Sequence, residues 1–294
     1  MINTDLHIHS NYSSDGEFKV IDIIKKCLAQ KTDTFSLTDH NSVKGVNEAV
    51  TGAEQAGINF IPGIEIDCNY EGIDLHLLGY HIDWKSNDFL LLEESIASKV
   101  MDSFGDMLNN LHRLGFTVDA DAVLAKAGGK LPSGELIAEV MLENEKYNSP
   151  LLSPYMEGGK RSDMPYINFY LDYFAQGKPA FVPIRYISFQ EAVEIIRENG
   201  GVPIVAHPGL NLKGKEHITK NLLTNGAEGL EVFNNYHSPE QISYFASLVQ
   251  QQKALMTCGS DFHGKTKPLI NIGQFKFESP FENYLKNSIR QLKR

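Results

Sequence analysis

Short apolar runs alternate with longer amphipathic stretches along most of the chain. The apolar runs have strand length and are rich in branched and aromatic side chains. They are Thr4–Ile8, Thr34–Thr38, Asn59–Ile66, Ile73–Tyr80, Val202–Ala206, Gly229–Phe233 and Ala254–Cys258. Amphipathic segments with helical spacing follow them: Glu17–Gln30, Ser42–Ala56, Ser188–Asn199, Pro239–Gln252 and Phe281–Leu292. Because strands that alternate with helices predict parallel βαβ units, we expect a TIM-like (β/α)7 barrel, one unit short of the (β/α)8 type.

The stretch from Trp84 to Pro183 breaks this alternation. It contains one long predicted helix, Leu90–Leu114, and two shorter ones, Asp119–Ala127 and Glu135–Glu143. The proline, glycine, serine and charge content of Asn148–Pro165 is typical of a loop. We therefore predict a barrel built from residues 1–84 and 184–294, with a mostly helical insertion over residues 85–183 that acts as a lid on the site.

Composition limits the range of partners. The net charge is −10, and no long basic run is present, so tight binding to duplex DNA is disfavoured. No apolar stretch approaches the roughly 20 residues that span a bilayer, so no membrane partner is expected. The cysteines, Cys27, Cys68 and Cys258, are widely spaced and do not predict a disulfide framework. Since the chain also runs from Met1 directly into a strand, we expect a cytoplasmic protein.

Six histidines and three carboxylates lie at or near the predicted strand ends. They are His7, His9, Asp15, His40, Glu65, His76, His207, Asp261 and His263. Alternate residues of a strand share a face, so His7 and His9 should project together, as should Asp261 and His263 if the chain stays extended there. Imidazole nitrogens and carboxylate oxygens suit Zn, Mn and Fe. Nine such ligands are too many for one ion, so the sequence predicts a cluster of metals.

Each of these positions taken alone has a simpler interpretation. A single buried histidine is more often a hydrogen-bonded core residue than a metal ligand, and His-X-His or Ala-His-Pro-Gly alone is weak evidence. The joint occurrence at strand ends favours the metal cluster. By contrast, His112 and His217 lie in polar, helical contexts and are expected to be solvated.

The motifs that carry these residues resemble the PHP (polymerase and histidinol phosphatase) superfamily. In chain order they are Asp-Leu-His-Ile-His-Ser, Ser-Asp-Gly, Leu-Thr-Asp-His-Asn, Gly-Ile-Glu-Ile, Leu-His-Leu-Leu-Gly-Tyr, Ala-His-Pro and Gly-Ser-Asp-Phe-His. They follow the family's order from Asp5 to Gly264. The Ser-Asp-Gly motif and the insertion after the fourth strand are similar to the stand-alone phosphatases that act on nucleotides and short oligonucleotides. The resemblance implies a distorted seven-stranded barrel that holds up to three Mn, Fe or Zn ions.

The resemblance also implies how the ligands are shared. The first ion would take His7, His9, Glu65 and Asp261, the second Glu65, His76 and His207, and the third Asp15, His40 and His263. A carboxylate has two oxygens and can bridge two ions, whereas a neutral imidazole offers one free lone pair. That difference gives a chemical reason for an acid at position 65.

The implied activity is that of a metal-dependent phosphoesterase. It would hydrolyse a small phosphomonoester, such as a nucleotide, a nucleoside 3′,5′-bisphosphate or a short oligonucleotide, by a metal-activated hydroxide. Glu65 and Asp261 would act in the catalytic centre, and His237 is a candidate both for substrate binding and for protonation of the leaving group.

The substrate's phosphate is expected to need further cations. Nucleotide-specific relatives often carry an Arg-Pro-His-like element early in the insertion, where this chain has Leu-Pro-Ser-Gly-Glu-Leu-Ile from Leu131. Lys160 and Arg161, in the predicted lid loop, are therefore candidate phosphate-binding residues. Arg185, near the return of the chain to the barrel, is a third.

Three alternatives remain open at this point. A histidinol-phosphate phosphatase would use the same site on another phosphomonoester. An amidohydrolase-type metal hydrolase also opens its barrel with His-X-His, but the set of Asp15, His40 and His263 has no place there. A noncatalytic metal-binding module is the third alternative, since a scaffold can lose its chemistry, and the presence of all nine ligands argues against it.

Overall fold

The computed structural model describes residues 2–293, and eight strands form one mixed sheet in it. The strands are β1 (Thr4–Ile8), β2 (Thr34–Leu37), β3 (Asn59–Tyr70), β4 (Ile73–Tyr80), β5 (Ile187–Ser188), β6 (Val202–Val205), β7 (Gly229–Phe233) and β8 (Leu255–Cys258). Their order is β1-β2-β3-β4-β6-β7-β8, and β5 pairs with β3. The pairing confirms the predicted α/β class, whereas the short strand β5 was not predicted.

Helices connect most of these strands. They are α1 (Val20–Ala29), α2 (Val46–Ala56), α3 (Asn87–Arg113), α4 (Ala120–Ala127), α5 (Gly134–Glu143), α6 (Pro165–Tyr173), α7 (Phe189–Glu198), α8 (Pro208–Asn211), α9 (Thr219–Thr224), α10 (Pro239–Gln252) and α11 (Glu282–Leu292). Capping boxes at Ser188 and Ser238 begin α7 and α10, as the sequence indicates. Within residues 2–293, no helix combines the length and hydrophobicity that crossing a membrane requires.

Strand β4 runs against its neighbours, which corrects the predicted all-parallel order. It pairs antiparallel with both β3 and β6, while β1, β2 and β3 are parallel, as are β6, β7 and β8. The turn between β3 and β4 consists of Glu71 and Gly72, with φ of 50° and 81°. Two-residue hairpin turns of this kind need positive φ at both positions. The hairpin places Glu65 and His76 within strands rather than at strand ends.

The end of β1 lies beside the segment that follows β8. The backbone N–H of Asp261 donates to the carbonyl of His7 (2.9 Å), and that of His9 donates to the carbonyl of Phe262 (2.9 Å). The strands themselves are not paired into a closed ring, so a complete TIM-type barrel is not confirmed. These bonds nevertheless bring the segment after β1 beside the segment after β8.

Helix α3 connects two separate hydrophobic cores. Its first half contributes Phe89 and Ile96 to the core that packs against the sheet. Its second half contributes Phe104 and Leu111 to a second core, formed with Phe169 and other residues of the 104–182 region. One continuous helix of 27 residues therefore belongs to both cores.

Candidate metal centre

All nine predicted ligand residues lie in one cluster, together with Asp67. Their candidate ligand atoms form four overlapping groups, and within each group all atoms lie within 4.8 Å of one another. The groups are His7, His9, Glu65 and Asp261; Glu65, His76 and His207; His9, Asp15, His40 and His263; and His40, Asp67 and His76. Because the groups share residues, they form a continuous network of nitrogen and oxygen donors.

Glu65 lies at the centre of this network. Its Oε2 is 3.1 Å from Nε2 of both His7 and His9. Its Oε1 is 3.0 Å from Nδ1 of His76 and 3.1 Å from Nε2 of His207. The two oxygens thus face different sets of imidazoles, which is the arrangement a bridging carboxylate needs.

Asp261 and His263 do not lie in extended backbone, contrary to the expectation. Asp261 has a φ of 59°, in the left-handed region that residues other than glycine rarely adopt. Its Oδ1 is nevertheless 3.4 Å from Nε2 of His7 and 3.2 Å from Nε2 of His9. His263 reaches Asp15, with 3.2 Å between Nε2 and Oδ2. A turned backbone, and not strand alternation, brings this pair into the cluster.

Buried polar groups behind the cluster orient several imidazoles. Glu231 binds Nδ1 of His7 through Oε1 (3.0 Å) and accepts the backbone N–H of His207 through Oε2 (2.8 Å). Ser13 Oγ lies 2.9 Å from Nδ1 of His9, and Asn211 Oδ1 lies 2.7 Å from Nδ1 of His207. Since Nδ1 is engaged in each ring, Nε2 is the nitrogen that faces the cluster, and such outer partners fix ring orientation in metal sites.

Unpaired buried atoms test whether the cluster suits metal ions. Among the described residues, seven buried side-chain atoms have no hydrogen-bond partner, and four of them belong to the cluster: Asp15 Oδ1, His40 Nδ1, Asp67 Oδ1 and His263 Nε2. Buried polar atoms normally have a partner. The two nitrogens among these atoms lie close to carboxylate oxygens without forming a hydrogen bond, with 3.3 Å between His40 Nδ1 and Asp67 Oδ1 and 3.2 Å between His263 Nε2 and Asp15 Oδ2. Such an arrangement of imidazoles and carboxylates fits divalent ions of the Mn, Fe or Zn type.

The electrostatics of the cluster are set by burial and by close opposite charges. Burial, assisted by the charges of His263 and His40, lowers the pKa of His9 to about 4. Burial also acts to lower the pKa of His40, but the carboxylates of Glu65 and Asp67 outweigh it and raise that pKa to about 10. Metal ions and protons compete for such nitrogens, so occupancy of the site must depend on pH.

A cavity of about 550 Å³ adjoins the cluster. On one side, Asp15, His40, His76, His207 and Asp261 face it. The other side is formed largely by the 85–183 region, with apolar side chains from α3 and α6 that include Ile96, Val100, Met107, Ile167 and Leu171. The polar cluster therefore opens onto a space with a partly apolar wall.

The predicted substrate-binding residues are not brought to this cavity. Arg161 forms a two-point ion pair with Asp172 on α6, and neither it, Lys160 nor Arg185 is among the residues that line the cavity. His237 is buried, and its ring is fully engaged, with Nδ1 2.8 Å from the carbonyl of Val232 and Nε2 accepting from the N–H of Gly209 (3.0 Å). The geometry therefore does not support phosphate or leaving-group contacts by these four residues.

Sequence reasoning missed other residues at the site. Asp67 is two positions from Glu65 on β3 and shares its face, so strand alternation was a sufficient signal for it. Lys267 and Tyr236 both contact Asp261 Oδ2, at 2.6 Å each. No periodicity marks them, because their contact depends on how the segments after β7 and β8 meet.

The mixed sheet, the donor cluster and the adjoining cavity define a metal-binding α/β protein of the hydrolase type. More particularly, residues 5–147 match the sequence model of the PHP domain family. This match confirms the predicted resemblance to that family.

Curated relatives match along most of the chain. A 5′-3′ exoribonuclease of Haemophilus influenzae is 28% identical over 265 residues, which cover 88% of this chain and 89% of the relative. A 3′,5′-nucleoside bisphosphate phosphatase of Chromobacterium violaceum is 27% identical over 269 residues, covering 90% and 88%. Among solved structures, a Chromobacterium violaceum protein described as an amidohydrolase superposes with a TM-score of 0.78 and 24% identity, covering 97% of this chain and 96% of the other, which shows the shared fold.

Proposed function

We propose that this protein is a metal-dependent phosphoesterase that hydrolyses a small phosphomonoester: a nucleotide, a nucleoside 3′,5′-bisphosphate or a short oligonucleotide. The observation that carries the proposal is the convergence of the nine predicted ligand residues and Asp67 beside a cavity. Four buried side-chain atoms of these ten residues form no hydrogen bond. The names of the two curated relatives support it, since both describe phosphoester hydrolysis.

We assign the metal ligands as three sets. His7, His9, Glu65 and Asp261 would hold the first ion, Glu65, His76 and His207 the second, and Asp15, His40 and His263 the third. The overlapping groups of donor atoms support this division, and the position of Glu65 between two sets supports a bridging role. Asp67, within reach of His40 and His76, is an additional candidate ligand.

The chain's own residues would hold and orient these ions. Divalent ions held here would lower the pKa of water and offset the negative charge of a phosphoryl group. Glu231, Ser13 and Asn211 keep imidazoles in place, while the apolar side chains of α3 and α6 exclude water and can contact the organic part of the substrate. The resident metal is proposed to be Mn, Fe or Zn.

We also propose the larger organisation that the sequence predicted. Residues 1–84 and 184–294 would form a distorted barrel that the bonds between His7 and Asp261 and between His9 and Phe262 complete. Residues 85–183 would form an inserted lid, which its separate core and its share of the cavity wall support. Three free, buried cysteines support the proposed cytoplasmic location, because such thiols are typical of reducing compartments.

The proposal is tested with purified protein loaded with manganese. Mononucleotides, 3′,5′-bisphosphates, short RNA, histidinol phosphate and simple amides are compared as substrates, and released phosphate is measured. We expect turnover of at least one nucleotide substrate, loss of that turnover with a chelator, and about three ions per chain by elemental analysis. Turnover of amides without phosphoesters would favour an amidohydrolase, and metal binding without any turnover would indicate a noncatalytic module.

A further inference from the structure

One lysine is buried in the wall of the cavity. Lys267 follows β8 in the segment Gly-Lys-Thr-Lys-Pro, has only 6% of its surface exposed and lines the cavity. Lysine is almost never buried without a partner, because its charge loses hydration. Its position therefore needs a compensating contact.

Asp261 provides that contact, and its two carboxylate oxygens contact different groups. Oδ2 accepts hydrogen bonds from the Lys267 ammonium (2.6 Å) and from the Tyr236 hydroxyl (2.6 Å). Oδ1 faces His7 and His9. Since an ammonium has three donors and Asp261 occupies one, Lys267 retains donors that can face the cavity.

The other two lysines that line the cavity are engaged elsewhere. Lys44 is exposed and pairs with Glu93 (2.8 Å). Lys130 donates to the backbone carbonyls of Ser13 (3.2 Å) and Gly16 (2.9 Å). Within the described part of the chain, Lys267 is therefore the cavity-lining lysine that is hydrogen-bonded to a cluster side chain.

We propose that Lys267 binds the phosphoryl group of the substrate. Asp261 and Tyr236 hold its ammonium beside the donor cluster, where it donates to a phosphoryl oxygen. A cation that is already fixed loses little conformational freedom when it binds an anion. Lys267 thus supplies the positive charge for phosphate binding that the sequence analysis expects from Lys160 and Arg161. This inference rests on the proposed phosphoesterase function.

A purely structural role for Lys267 makes different predictions. If the lysine only positions Asp261, its loss disturbs metal binding, and a neutral side chain that still donates to Asp261 restores normal behaviour. If it binds phosphate, the positive charge itself is required, and metal content is secondary. Three substitutions separate the two roles: Lys267→Met, Lys267→Gln, which keeps a hydrogen-bond donor, and Lys267→Arg, which keeps the charge.

The measurement is binding of inorganic phosphate to manganese-loaded protein by calorimetry, with metal content determined on the same samples. We expect K267M and K267Q to keep their metals and to lose phosphate affinity by about 10-fold or more, with K267R close to wild type. Lys276→Met is the matched control, because Lys276 is exposed, bonds to the carbonyl of His237 and does not line the cavity.

Two results would overturn the inference. One is unchanged phosphate affinity in fully metallated K267Q, and the other is loss of metal that accounts for the loss of phosphate binding in both neutral variants. If K267M does not fold, the phosphate affinity and metal content of K267Q are sufficient to separate the two roles. Because phosphate binding is measured without turnover, an inactive wild-type protein would contradict the proposed function and leave this test intact.

Discussion

Glu231 of β7 and His7 of β1 form a fully buried contact, with 3.0 Å between Oε1 and Nδ1. The second oxygen of Glu231 accepts the backbone N–H of His207, which follows β6. The carboxylate of Glu231 on β7 thus contacts His7 on β1 and His207 after β6, and both histidines are proposed metal ligands. Glu231 therefore contacts two residues of the candidate metal centre although it is not itself among the proposed ligands.

Replacing Glu231 with Gln should weaken metal binding without removing a ligand. The amide cannot accept through both atoms, so His7 or the His207 backbone loses a partner, and affinity for manganese should fall about 10- to 100-fold. Titration of the apoprotein with manganese measures this. Glu228→Gln, at an exposed ion pair with Arg197, is the control and should leave affinity unchanged. Equal affinities for the two variants would remove the orienting role of Glu231.

Replacing Glu65 with Gln should deplete two ions at once. The substitution removes the carboxylate whose oxygens face both His7 and His9 on one side and His76 and His207 on the other. Phosphatase activity should fall roughly 100-fold or more, in the range seen when one electrostatic group of a catalytic centre is removed. Elemental analysis gives the ion count. The exposed Glu54→Gln serves as control, and full occupancy in Glu65→Gln would contradict the bridging assignment.

Lys130 connects the inserted region to the loop that carries Asp15. Its ammonium bonds to carbonyl oxygens on both sides of that residue. Lys130→Met should free the loop and lower affinity for the ion proposed at Asp15, His40 and His263 by about 10-fold, while the other ions stay bound. Titration of the apoprotein with manganese measures the affinity of this site separately from that of the two tighter sites. Lys126→Met, which removes an ion pair within the inserted region, should have no such effect.

His81 should make folding stability depend on pH away from the metal centre. Burial lowers the pKa of this half-buried imidazole, whose Nε2 contacts the carbonyl of Leu292. The unfolded chain therefore binds a proton more readily, and as pH falls through the ordinary value of 6.5 that proton stabilises the unfolded state. Between about pH 8 and about pH 5, the urea midpoint should fall more for wild type than for His81→Gln.

A suitable control for that experiment is His217→Gln, in a short turn with no buried residues. It should show the same pH dependence as wild type. If His81→Gln also matches wild type at both pH values, the imidazole at position 81 does not contribute to acid sensitivity.

The sequence predicted the cluster because its signals are local. Strand alternation places His7 beside His9, and polar residues after apolar runs indicated His40 and His207. The direction of β4 escaped prediction because helix and strand alternation suggested another parallel unit, although Glu71 and Gly72 carry a hairpin turn. The sequence predicts phosphate binding by Arg161 because no ion-pair partner for it is evident there. In the structure its partner is Asp172, which lies on α6, a helix that the sequence pattern does not predict. Lys267 was missed because only the three-dimensional meeting of two loops gives it a carboxylate.

The continuous helix α3 restricts how substrates can enter. Phe89 and Ile96 anchor it beneath the sheet, and Phe104 and Leu111 anchor it in the second core. A segment attached through one flexible loop could move without disturbing the rest of the protein. Helix α3, by contrast, can tilt only if its packing in the core beside the sheet also changes. Any change in the width of the cavity at α3 would therefore have to involve both hydrophobic cores at once.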